Sequence, residues 1–112
     1  MLIYYSETAG RPNIAAESPV NETVENALSI FRALDPRKGF LGVVLTEPFS
    51  LQLLPQKGRV RIELLDSSLP AIDSSEADNA TAEQLIRAAA KGQDVFQFAR
   101  QLIADWECLK LN

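Results

Sequence analysis

The chain has 112 residues, 46% of them hydrophobic and 23% charged, with a formal net charge of −4. This is the size and composition of one globular domain, 1–112, that can bury a core without metal or disulfide staples. The acidic balance argues against nucleic acid as the ligand, because phosphate binding needs clustered Lys and Arg; it suits a basic protein partner.

There is no histidine and a single cysteine, Cys108. Zinc and haem sites and an internal disulfide are therefore not expected, and no cofactor is implied. No apolar run approaches the length of a membrane span. The first ten residues lack the basic region and long apolar segment of a secretory signal. A reducing, cytoplasmic compartment is the expectation.

Taken in order, Leu2 to Tyr5 predicts an opening strand, followed by a loop over 6–18 with Gly10, Pro12 and Asn13 as breakers. Ser18-Pro19 has the form of a helix start, a capping residue and then proline at the first helical position. Val20, Val24, Ala27, Leu28, Phe31 and Leu34 recur at steps of three and four, which predicts a helix over 19–35 ended by Asp35-Pro36. Strand, helix, strand in succession predicts a right-handed crossover, with the opening strand parallel to the next one.

That next strand, Phe40 to Leu45, is apolar on both faces, as an interior strand should be. Thr46, Glu47 and Pro48 break it. Phe49 to Leu54 and Arg59 to Leu65 then read as a hairpin around Pro55-Gln56-Lys57-Gly58. In its second arm Val60, Ile62 and Leu64 alternate strictly with Arg59, Arg61 and Glu63. That period of two predicts one buried face and one wet face, with Arg59 or Arg61 pairing across strands to offset Glu63. A slip of one residue would carry Arg61 and Glu63 into the core, so the register is well specified.

Residues 66–80, rich in serine and aspartate, read as a loop. Thr81-Ala82-Glu83-Gln84 matches a capping box, and a helix over 82–91 ends at Gly92 in the usual left-handed position. Asp94 caps a third predicted helix, 95–109, with the stripe Val95, Phe98, Ala99, Leu102, Ile103, Trp106 and Leu109. The expected fold is a two-layer α+β domain. It has a four-stranded, mostly antiparallel sheet with three helices packed mainly on one face.

Catalytic signatures are missing. No histidine is present to act as the usual general base, and no nucleophile elbow, phosphate loop or dinucleotide fingerprint occurs. Cys108, with no histidine in the chain to activate it, reads as a plain buried or surface cysteine. Asp73, Glu76 and Asp78 miss the calcium-loop pattern, which needs a glycine at its turn. Glu63 and Asp66, three apart on a strand, point to opposite faces and make a poor carboxylate pair. No catalytic and no metal-binding residue is assigned.

Two surfaces remain: the polar face of the hairpin and the acidic stretch after it. From Glu63 to Glu83 there are six acidic residues and no basic one. A loop of that charge can enter a basic, concave site on a protein partner. This makes Asp66, Asp73, Glu76 and Asp78 the first-choice protein-binding residues, with Gln52 and Glu63 from the sheet as second choice. The plainer reading is a solvated loop and a wet sheet face.

Phe49-Ser50-Leu51-Gln52, Arg61-Ile62-Glu63, the helix from Ala82 to Gly92, Phe96 and Trp106-Glu107 together resemble the immunity-protein-like families encoded beside bacterial toxins. The likeness runs over roughly 40–109. It departs at Gly92-Gln93-Asp94, where an acid usually follows the glycine directly, and at Phe96, where tryptophan is common. The resemblance implies a cytoplasmic, non-catalytic protein that binds and neutralises a cognate toxin. The alternative is a structural or regulatory adaptor, a homodimer formed through an exposed strand or a helix face, with the opening strand and its Tyr4 and Tyr5 as one edge available for pairing.

Overall fold

The computed structural model describes residues 1–45, 49–66, 72–95, 97 and 107–108, of which 66, 72–74, 107 and 108 are described by their backbone alone. The chain runs β1 (Leu2–Ser6), β2 (Val20–Asn21), α1 (Val24–Arg32), β3 (Phe40–Val44), β4 (Phe49–Gln56), β5 (Arg59–Asp66), β6 (Ile72–Ala77), α2 (Asn79–Ala90) and β7 (Glu107–Cys108). Among the described residues the strands form one seven-stranded sheet in the order β2-β1-β3-β4-β5-β6-β7. Every neighbouring pair is antiparallel.

The predicted hairpin is its centre. Leu51 pairs with Leu64 and Leu53 with Ile62, so the alternation of β5 places Val60, Ile62 and Leu64 on one face at 0%, 0% and 2% exposure. Leu41, Val43, Ile3 and Tyr5 extend that face across β3 and β1. Ala27, Leu28, Ile30 and Phe31 of α1 and Ala82, Leu85 and Ile86 of α2 cover it, giving one core. Each large side chain so buried contributes about 1.5–3 kcal/mol. The class is α+β and both described helices lie on one face. Among the described residues, the four-stranded sheet with three helices is corrected to a seven-stranded sheet with two.

The corrections have local causes. Ile72–Ala77 looks like a loop because Ser and Asp are poor strand formers. The edge of β5 nevertheless presents unpaired amides and carbonyls, and backbone pairing from Val60↔Ala77 to Leu65↔Ile72 satisfies them. The predicted helix over 95–109 fails at 107–108, which pair with Ser74 and Asp73 as strand β7. Its remainder, including Phe96 and Trp106, lies outside the described residues, as do Thr46, Glu47 and Pro48. Its start is as expected, with Asp94 Oδ1 accepting from the Gln97 amide at 3.2 Å.

The predicted helix 19–35 begins later, at Val24. Val20 instead pairs with Ile3, and the terminal amine donates to Asn21 Oδ1 at 3.1 Å. Thr23 is the cap, accepting from the Asn26 amide at 3.2 Å. This short β2 reverses the chain before α1, so β1 and β3 run antiparallel rather than parallel. It also flanks β1, which is not an edge strand. Further along, Tyr5 and Ile14 exchange two backbone hydrogen bonds of 3.1 and 2.9 Å. Pairing of two copies through β1 is therefore not available.

In α2 the cap is Asp78 rather than Thr81, with Asp78 Oδ1 accepting from the Thr81 amide at 2.8 Å. Gly92 takes the expected left-handed φ of +73°. Both hairpin strands run further than predicted. Pro55 belongs to β4 opposite Val60, Gln56 pairs with Arg59, and only Lys57 and Gly58 turn. Pro55 is tolerated because β3 ends opposite Leu53, leaving that part of β4 with a single neighbour.

Candidate functional site

The face of the sheet away from α1 and α2 carries a straight row of positions across its strands. Tyr4 stands opposite Gly42, Gly42 opposite Gln52 and Gln52 opposite Glu63, and the register continues to Ser74 and Glu107. The period of two in β1, β3, β4 and β5 puts these residues on this face as surely as it puts their neighbours in the core.

Tyr4 organises the row. Its ring lies directly over Gly42, where any Cβ would overlap ring carbons. Phe40 meets it edge-on, with ring centroids 6.2 Å apart and planes at 67°. Tyr4 is 5% exposed yet stands apart from the main core. Its hydroxyl accepts from Gln52 Nε2 at 2.9 Å, which holds the amide with its carbonyl free to meet a further donor.

Beside it, Glu63 is held by Arg61, whose Nε donates to Oε2 at 3.1 Å; the two side chains are 17% and 36% exposed. This pair lies within one strand, two residues apart, and not across strands as expected. The cross-strand pair is Arg59 with Glu76, at 3.7 Å and largely solvated. Half-buried Phe40, Val44, Leu54 and Leu65 flank the row, and Leu2 is 43% exposed at its margin. The face combines fixed polar groups with apolar surface and nearly balanced charge.

Of the sequence-predicted residues, Gln52 and Glu63 are brought together. Glu76, exposed on β6, stands one row away opposite Arg61. Asp66 and Asp73 are placed by register alone, opposite Phe49 and Leu64. Asp78 is elsewhere, capping α2. Its carboxyl is held below the usual range, first by the Thr81 amide, then by the Thr81 hydroxyl, and by the charge of Arg59. The premise of an acidic loop is corrected, since Ile72–Ala77 is a strand and Asp78 a cap. Glu83, the last acid of that stretch, is tied to Arg32 of α1 by contacts of 2.6 and 3.1 Å. This hydrogen-bonded pairing lowers its pKa.

The sequence offers Tyr4 only as part of a pairing edge, and Gly42 not at all. The available signal was the glycine itself, since an isolated glycine inside a strand often marks close approach of another group. Among the described residues, no cluster of three or more His, Cys, Asp or Glu is placed to hold a metal, and no helix is long and apolar enough to cross a membrane. No protein family matches the chain, and neither a curated protein nor a solved structure does.

Proposed function

We propose that this chain is a non-catalytic protein-binding domain of the immunity kind, which binds a cognate toxin and neutralises it through the helix-free face of its sheet. The observation that carries the reading is the pairing of Gln52 with Glu63 on neighbouring strands. Both are half-buried, and Tyr4 and Arg61 hold them in fixed positions. Polar groups immobilised before binding lose little side-chain entropy when a partner docks. The half-buried apolar residues around them supply area that a partner can desolvate.

Contact is assigned to Gln52, Glu63 and Glu76; Asp66 and Asp73 alternate onto the helix-covered side with Leu64 and are not assigned to it. The partner is a protein with donor groups and basic charge for Glu63 and Glu76. A desolvated charge of this kind is worth ~2–5 kcal/mol when its partner is removed, whereas rim charges mainly set the association rate.

The test is co-expression with the toxic product of the neighbouring gene. The chain should restore growth, and Gln52→Ala with Glu63→Gln should abolish protection while the melting temperature stays within a few degrees. Absence of protection by the unaltered chain, or full protection by the double variant, would refute the reading.

A further inference from the structure

One end of the sheet carries a groove that meets the protein-binding face only at Leu54 and Glu76. Residues 36–39, between α1 and β3, form one wall, and residues 54–57 with Arg59 form the other. They enclose about 600 Å³. A second depression of about 290 Å³ continues it to the start of α2, sharing Pro36, Pro55, Gln56 and Arg59 with the first. Pro36, Leu54 and Pro55 give the main depression an apolar lining.

Its charge is opposite to that of the protein. Four of the eleven Lys and Arg residues, Arg37, Lys38, Lys57 and Arg59, line it against one acid, Glu76. All four are exposed. Arg59 is held weakly by Glu76, through its carboxylate at 3.7 Å and its backbone carbonyl at 3.4 Å. Among the described residues no ion pair holds Arg37, Lys38 or Lys57. The nearest acid in sequence, Asp35, accepts from the amides of Arg37 and Lys38 through Oδ1 at 2.7 and 3.2 Å. Gathering like charges costs repulsion, and an anionic ligand converts that cost into attraction.

We propose that this groove binds a short acidic peptide segment of another protein, one with an apolar side chain between its carboxylates. The cations take the carboxylates, and Leu54 with the two prolines takes the apolar side chain. A nucleic acid fits less well. Among the described residues, no aromatic side chain lines the main depression for bases to stack on. A long polyanion would also have to cross a body whose charge outside the groove is strongly negative. The groove shares Leu54 and Glu76 with the sheet face, but its cations and prolines are not part of that reading, and Gln52 and Glu63 do not line it.

Fluorescence anisotropy with a labelled peptide of alternating glutamate and leucine tests it on the full chain. Binding should be saturable and weaken with added salt. It should fall by about tenfold or more when glutamine replaces glutamate in the peptide, and by a similar factor in Lys38→Glu with Lys57→Glu. Lys38→Gln with Lys57→Gln provides a milder variant should the charge reversal fail to fold, and should weaken binding in the same direction. No binding by the unaltered chain, unchanged affinity in a folded double variant, or equal affinity for a single-stranded DNA of similar length would each overturn the proposal.

Discussion

Gly42→Ala is the sharpest test of how the polar row is built. The added Cβ would overlap the Tyr4 ring, and even the third-nearest ring atom, Cε1, would be 2.5 Å away where real Cβ contacts essentially never fall below 3.0 Å. The neighbours are not flexible side-chain ends but a ring 5% exposed between strands. Either β1 and β3 shift, an overpacking cost of ~1–3 kcal/mol, or Tyr4 leaves its place. Leaving forfeits the hydrogen bond from Gln52, ~0.5–1.5 kcal/mol, and much of the ring's burial, ~1.5–3 kcal/mol. Alanine returns ~0.5–1 kcal/mol through its smaller backbone entropy loss. The cheaper route sets the net expectation, a destabilisation of ~1–2 kcal/mol, read as a lower urea midpoint at unchanged m-value. In a Tyr4→Ala background the clash is gone, so Gly42→Ala should become neutral or stabilising by up to ~1 kcal/mol. Equal cost in both backgrounds would refute the account, as would a single variant within ~0.5 kcal/mol of the parent.

Leu53→Ala, at a fully buried position, should cost ~2–5 kcal/mol in the same urea titration. Thr8→Val removes the buried hydroxyl that donates to the Ile30 carbonyl at 2.8 Å. That carbonyl still accepts from the Ala33 amide at 3.2 Å, so the cost should stay near ~1 kcal/mol in equilibrium unfolding. Asp35, Asp78 and Glu83 have lowered folded-state pKa values, Asp35 chiefly through the Arg37 amide and Glu83 chiefly through Arg32. Between the folded and ordinary values the unfolded chain binds more protons. Their stabilisation is therefore complete above pH ~4.5 and is lost as pH falls through the folded values. Glu83→Gln should flatten the acid limb of a stability–pH curve, and an unchanged limb would count against the Arg32 pair. Neutralising Asp73, Glu76 and Asp78 together should lower the melting temperature more than neutralising Asp73 and Glu76 alone, because only Asp78 caps a helix.

What the sequence determined by itself is the part written in local alternation. The β4–β5 hairpin, its buried Val60, Ile62 and Leu64, and the left-handed Gly92 all follow from spacing that one buried face imposes on a chain. The meeting of Gln52 with Glu63 follows too, once the register is set. Tertiary structure decided what local pattern cannot carry. Ile72–Ala77 has no strand composition and becomes a strand because β5 offers unpaired backbone. Val20 leaves the helix its spacing predicts because the outer edge of β1 needs a partner. Tyr4 is not at an edge but lies over Gly42, a contact made between residues 38 apart in the chain. The groove arises the same way, because Arg37 and Lys38 are twenty residues from Lys57 and Arg59 until the sheet folds them together. Backbone hydrogen bonds must be satisfied wherever a partner lies, and that demand is set by the whole fold rather than by neighbours in sequence.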